Sequence, residues 1–320
     1  MKAVTNAFLG ILAVTAACSN EPSGDEEYSD KQQSVTEGNA LLPNRIVTNR
    51  IVTNRIVTNR LSNGNYQLND NAAELVETPE GRELLTYVVS CALGEDQVVE
   101  STYRGTTYTF EGDVGLARGW VNHKLDIHDQ RWVSSCLLAR VNGHGISLLV
   151  SLRGPSSHLQ LTDEEKNEYT VEEGAFYGNI FTPEDEPLLM YACRGKDQAA
   201  GEPNPGSPLA DRDCTEEDPA HPGLTQCGFV YVGDCADFAA TNDDDDDDDD
   251  HGHGHGCGHG HGHHWGHGHG HHDDASAPHA CEEQGGNGDY KKCHTEASDD
   301  DGDFEGGTRY REIVTVFLRP

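Results

Sequence analysis

The stretch 243–272 sets the outer limit on how this chain can fold. Eight consecutive aspartates at 243–250 run into eleven histidines within 251–272, most of them alternating with glycine. A segment with almost no apolar side chain cannot offset the entropy lost on ordering, so it is expected to be disordered. Residues 258–264 and 266–272 are the same seven-residue string, which marks an internal duplication. A core must be assembled from the sequence on either side.

The stretch 65–240 carries the patterns of a folded α+β domain. Thr78 followed by Pro79 reads as an N-cap with proline at the first helical position. Leu84, Leu85, Val88, Val89, Cys91 and Ala92 recur at helical spacing, which predicts a helix over 79–93. The β-rich runs 98–102 and 106–110 flank Tyr103-Arg104-Gly105, a hairpin signal. Asp129 is expected to cap a second helix bearing Trp132, Val133, Cys136, Leu137 and Val141, ended by Asn142-Gly143. The apolar run 146–152 predicts a buried strand, and Thr162 with Glu165 a capping box opening a short third helix. Further strands are expected at 188–193, 229–232 and 313–318. The apolar C-terminus, 304–320, is expected to return to the core across a low-complexity insert spanning 241–303.

Ten cysteines punctuate the chain. Cys257 sits inside the histidine tract, and Cys18 closes an apolar N-terminal run. The remaining eight are Cys91, Cys136, Cys193, Cys214, Cys227, Cys235, Cys281 and Cys293. An even set in an exported chain implies disulfides, and eight cysteines allow 105 pairings, so spacing alone does not choose among them. No two of the eight form a Cys-x-x-Cys pair, which argues against a thioredoxin-like site or a zinc ribbon, and Cys293-His294 lacks the second cysteine of a haem attachment motif.

Export is read from the N-terminus. Lys2 precedes the apolar residues Phe8, Leu9, Ile11, Leu12 and Val14, a run too short to span a bilayer. The string Val14-Thr15-Ala16-Ala17-Cys18 resembles the bacterial lipobox, with Thr15 where leucine is commoner. The resemblance implies a signal peptide over 1–17 and lipid on Cys18. Several acyl chains together would anchor the chain to a membrane. Ser19 after the cysteine implies, by the same resemblance, sorting to a Gram-negative outer membrane. Residues 18–43, rich in Ser, Glu, Asp and Gln, read as a flexible tether. Residues 44–64 hold three perfect copies of Asn-Arg-Ile-Val-Thr and a degenerate fourth. A period of five fits neither one helix face nor an alternating strand, and the segment lacks the pattern of pentapeptide-repeat proteins. It reads either as a spacer grown by duplication or as a basic, β-prone strip against anionic lipid or a partner strand.

The tract has a chemistry of its own. His251, His253, His255, Cys257, His259, His261, His263, His264, His267, His269, His271 and His272 are candidate ligands for Zn, Ni or Cu(II), carried on a glycine-rich backbone able to wrap an ion. The pattern resembles the His-rich loops of metal chaperones and periplasmic zinc-uptake proteins, over this segment only. No obligatory cofactor is implied. A formal charge of -34 repels phosphate and argues against nucleic acid as a partner.

Motifs for catalysis are missing: no Gly-x-Ser-x-Gly, no phosphate loop, no His-Glu-x-x-His. His123, His128, His144 and His158 are scattered. Glu172 and Glu173, opening the string Glu-Glu-Gly-Ala-Phe-Tyr-Gly-Asn, could line a cleft, but such a string is more often a turn and a packed strand. The layout resembles a group of Gram-negative lipoproteins that combine a lipobox, an Asn-Arg-Leu/Ile repeat and strings like Leu85-Thr86-Tyr87-Val88-Val89-Ser90-Cys91 and Glu173-Gly174-Ala175-Phe176-Tyr177-Gly178-Asn179; no activity comes with that resemblance. The expectation is a non-enzymatic cell-envelope lipoprotein with an accessory metal-binding loop. The alternatives are a surface adhesion module with an incidental loop, or a secreted hydrolase using acidic residues.

Overall fold

The computed structural model describes residues 36–38, 73–142, 148–183, 185–198, 218–219, 222–225, 227–238 and 277–320. The chain divides into units 1–31 and 32–320, and every described residue belongs to the second. Cys18, the repeat over 44–64 and the histidine tract lie outside the described residues.

Two helices form one layer. α1 (Pro79–Ala92) begins at Thr78, whose hydroxyl accepts from the Gly81 backbone N–H at 3.0 Å, with Pro79 at N1 where its missing donor costs nothing. Leu84, Leu85, Val88, Val89 and Cys91 are fully buried along one face. β2 (Val98–Tyr103) and β3 (Thr106–Glu111) form the expected hairpin, turning through Arg104 and Gly105, both at positive φ. α2 (Ile127–Ala139) starts three residues earlier than Asp129 suggested. Its N-cap is Asp126, which accepts from the backbone N–H groups of His128 and Asp129, while the Asp129 carboxylate accepts from the Asp126 N–H. Asp129 is therefore the inner half of a capping box. The apolar pattern missed this first turn because Ile127 faces solvent, at 46% exposure. Nor does the helix run to Asn142. It ends at Ala139, and Arg140 turns inward to donate to Ser90 Oγ of α1 at 2.8 Å.

The main sheet has six strands in the order β1-β4-β11-β5-β6-β7, formed by β1 (Thr36–Gly38), β4 (Leu149–Arg153), β5 (Val171–Asn179), β6 (Leu189–Arg194), β7 (Val230–Asp234) and β11 (Val314–Leu318). All neighbours are antiparallel except β6 and β7. The C-terminal strand β11 lies between β4 and β5, distant in sequence from both. The run 146–152 is less uniform than its composition suggested: the strand starts at Leu149, which is 56% exposed, and ends on the buried Arg153. α3 (Asp163–Glu168) is capped by Thr162, whose hydroxyl accepts from the Glu165 N–H, and the buried Glu165 carboxylate accepts from Ser151 Oγ at 2.5 Å.

A second sheet, ordered β10-β9-β8, consists of β8 (Cys281–Gln284), β9 (Tyr290–His294) and β10 (Arg309–Tyr310). This corrects the extent of the insert. Residues 277–303 look like low-complexity sequence by their acidic composition, yet Ala280, Cys281, Tyr290 and Cys293 among them are buried core. Few apolar residues suffice here, because the strands are short and two of the buried residues are bridged cysteines.

β5 shows why the fold has three layers. Phe176 joins the apolar cluster of the two helices, while its neighbours Ala175 and Tyr177 join a second cluster with Cys193, Cys235, Cys281, Tyr290, Cys293 and Tyr310. Successive side chains of a strand point to opposite faces, so β5 is covered by helices on one side and by the small sheet on the other. A strand buried on both faces reads as a continuous apolar run, which is the pattern of β11.

Candidate functional site

The elements that flank the long insert converge beneath the small sheet. β7 leads into Cys235, and β8 begins at Cys281, so the insert is bracketed by two cysteines. Cys235 is bonded to Cys193 at the end of β6, and Cys281 to Cys293 directly across the β8–β9 pair. The backbone locks the same point. The Cys235 N–H donates to Arg194 O at 2.8 Å, the Ala280 N–H to Asp234 O at 2.7 Å, and the Cys281 N–H to Cys235 O at 2.9 Å. Further out, the Ala277 N–H donates to the Asp237 carboxylate at 3.0 Å, across 40 positions of sequence. The two stems of the insert are thus held side by side on a braced base.

Around this base lies a polar and aromatic shell that the sequence did not announce. His294 Nε2 sits 2.6 Å from Glu282 Oε1, Phe304 stacks on the His294 ring with centroids 4.0 Å apart, and Tyr177 donates its hydroxyl to His294 O. His279 meets the edge of Phe304 and hydrogen-bonds through Nδ1 with Ser298 Oγ at 3.1 Å. Tyr177, Tyr191 and Tyr310 pack together, and Arg131 lies over the Tyr310 ring at 4.6 Å. No sequence spacing links these residues, because the pairing of β8 with β9 and of the small sheet with β5 brings them together.

Glu172 and Glu173 are both fully buried in β5 rather than lining an open cleft. Glu172 accepts from Tyr290 Oη at 2.6 Å and from Gln284 Nε2 at 3.2 Å. Burial, with the adjacent Glu172 adding to it, pushes the Tyr290 phenol far above its usual range, so it serves as a donor. Burial also raises the Glu172 carboxyl, with the Tyr290 hydrogen bond opposing. A folded-state acid with a raised pKa stabilises most below its unfolded value, and that contribution fades as pH climbs through the folded value. Glu172→Gln keeps an acceptor for Tyr290 but cannot ionise. As pH rises above the ordinary glutamate value of 4.5, the variant is expected to lose less stability than the parent. Urea midpoints across that range check this, and parallel curves would refute it.

Among the described residues, the scattered histidines form no shared ligand group. His128 Nδ1 lies 2.6 Å from the buried Glu312 carboxylate, and His123 Nδ1 bonds its neighbour Lys124 O at 3.0 Å. His158 lies on a loop over 154–162, and His144 is outside the described residues. An open cleft of about 660 Å³ lies between that loop and the β8–β9 turn, lined largely by polar groups including Ser156, Gln160, Thr162, Lys166 and Asn287.

Of the predicted bridging cysteines, Cys91 pairs with Cys136, Cys193 with Cys235 and Cys281 with Cys293. Cys227 is also disulfide-bonded, and Cys214 lies outside the described residues. Among the described residues, one group of three metal-ligand side chains has its donor atoms within 4.8 Å of one another, namely Cys193, Cys235 and Cys281, all three engaged in disulfides. No helix among the described residues is long and apolar enough to cross a membrane. Comparison of the chain with protein-family models, with curated proteins and with solved structures finds no match.

Proposed function

We propose that this chain is a non-enzymatic cell-envelope lipoprotein, held to an outer membrane by lipid on Cys18, whose single disulfide-braced domain presents a divalent-metal-binding loop. The observation that carries this reading is the closed base of the insert. Asp237 and Ala277 are hydrogen-bonded, and Cys235 and Cys281 just inside them are each fixed to the core. A segment whose two ends are pinned together can vary in length and composition at little cost to the fold. Eleven histidines in such a segment supply imidazole ligands to transition ions without a folded subdomain of their own. The lipobox-like string before Cys18 and the polar sequence after it support attachment at the other end; the tether expected over 18–43 is shorter than that span, because Thr36–Gly38 pair with β4 in the main sheet.

The experiment has two arms. Deleting 243–272 is expected to remove most bound Zn, Ni or Cu(II) while shifting the melting temperature by no more than a few degrees, because a segment with almost no apolar side chain has little surface to bury. Metal binding by the intact chain should fall steeply below about pH 6 as imidazoles protonate. Calorimetry of the two chains decides the matter, and equal stoichiometry would show the histidines to be bystanders. In the second arm, Cys18→Ser should leave the protein uncleaved or soluble. Membrane fractionation and processing like the parent's would remove the lipid anchor from this reading.

A further inference from the structure

Four cysteines, three in strands and one just past a strand, meet at the base of the insert. Cys193 lies in β6 one residue before its end, Cys235 follows β7, Cys281 opens β8 and Cys293 lies in β9. All four are at most 3% exposed. The sulfurs are close across the two disulfides as well as within them: Cys193 Sγ and Cys281 Sγ, which are not bonded to each other, lie 3.7 Å apart. Cys235 Sγ lies within 4.8 Å of both, and Cys293 Sγ is bonded to Cys281.

That spacing is the spacing of a tetrahedral thiolate site. With Zn–S near 2.3 Å, the sulfurs of such a site stand about 3.8 Å apart along each edge. The non-bonded pair already has this separation. Once the S–S bonds are opened, side-chain rotation can widen each bonded pair, whose Cα atoms stand 4.9 and 3.9 Å apart, toward that separation, and Cys293, bonded to Cys281, is the fourth sulfur within reach. The surroundings suit a closed, structural ion. Val232, Ala280, Ile313, Tyr177 and Tyr310 belong to the same buried cluster as the four cysteines.

We propose that Cys193, Cys235, Cys281 and Cys293 form a four-thiolate site for a zinc-class divalent ion when the chain is reduced, in the place its two disulfides occupy when it is oxidised. The chemistry balances. Each disulfide takes two electrons and two protons from a dithiol reductant, which becomes a disulfide itself, and yields two thiols. The four thiols then bind one Zn²⁺ and release four protons. The consequence is a base for the insert that stays cross-linked in either redox state, by two covalent bonds or by one ion. The inference is independent of metal binding by the histidine tract, and the readouts below follow thiolates rather than imidazoles.

The full chain carrying Cys257→Ser, which removes the thiol of the histidine tract, is reduced with a phosphine under argon and titrated with Co²⁺. The expected result is a thiolate-to-cobalt charge-transfer band in the near ultraviolet, with visible bands of tetrahedral four-sulfur intensity, at one ion per chain. Cys193→Ser and Cys281→Ser should each abolish the four-sulfur spectrum, whereas the pair Cys91→Ser and Cys136→Ser should leave it intact. A four-sulfur spectrum that survives Cys193→Ser or Cys281→Ser would overturn the proposal, as would cobalt bands of imidazole type alone. Variants that fail to fold are bypassed by a second measurement on the otherwise unaltered chain. The folded protein is reduced with and without Zn²⁺, pulse-alkylated and mapped by mass spectrometry. Zinc should slow labelling of the four cysteines as a set by about tenfold or more, as expected for a tightly bound structural ion, while Cys91 and Cys136 label alike in both samples. Equal labelling of the four with and without zinc would overturn the proposal.

Discussion

Replacing Cys91 and Cys136 together by alanine is expected to destabilise the domain by about 4 kcal/mol. The bridge joins α1 to α2 and closes a loop of 45 residues. The chain-entropy estimate for a loop of that length is about 4 kcal/mol, from the greater freedom of the unfolded chain once the link is gone. The folded state loses contacts as well, since both cysteines are fully buried between helices that share one apolar cluster. The contrast with Cys281–Cys293 makes the prediction sharper. That bridge closes only 12 residues of sequence, for which the same estimate is about 3 kcal/mol. The helix bridge should therefore be the costlier to remove, although it is not one of the two bridges at the base of the insert. Guanidinium unfolding of the two double-alanine variants decides this, and a larger loss for the Cys281–Cys293 variant would sink the argument.

Gly178→Ala should cost about 3 kcal/mol and loosen the edge of β5 against β6. Gly178 has φ near +149°, a region L-residues rarely adopt, and a Cβ placed there would sit 2.0 Å from the Leu189 carbonyl oxygen. Leu189 is held in register across from Asn179, so the obstacle is backbone and has no rotamer by which to move. Serine in place of Gly178 should do no better than alanine, because the clash is with the Cβ itself. Thermal unfolding of the two variants measures the loss, and a melting temperature within a degree of the parent's would show that β5 and β6 can separate cheaply. The outcome bears on the string Glu-Glu-Gly-Ala-Phe-Tyr-Gly-Asn. Its glycines let two backbones approach, and its aromatics fill the layers on either side of β5. On this geometry the string is explained by packing.

Several elements are legible in the residues alone. Thr78-Pro79 and the apolar spacing after it mark α1 to within one residue, since cap chemistry and a single buried face are local properties. The hairpin of β2 and β3 is equally plain, because a two-residue turn couples neighbours in sequence. The start of α2 is misplaced for a local reason too: Asp126 and Asp129 can both cap, and the exposed Ile127 hides the first turn from the apolar pattern. The segment 277–303 is hidden differently. Its charge density resembles that of the neighbouring tract, and the few buried residues that make it core follow no strand period within elements of four or five positions.

By itself the sequence determined the α+β character, the segments able to form helices and strands and the commitment of the described core cysteines to bridges. Each of these follows from residue type, spacing over a few positions, or the amount of apolar surface available for burial. Only the tertiary structure decided which cysteines meet, that β11 enters between β4 and β5, that Tyr290 finds Glu172 118 positions away, and that Asp237 and Ala277 close the insert. These are contacts between segments distant along the chain. They are set by which two faces of β5 must be covered and by the strand order that covers them. Such an arrangement minimises the apolar area of the whole domain left in water, a quantity that no local pattern contains.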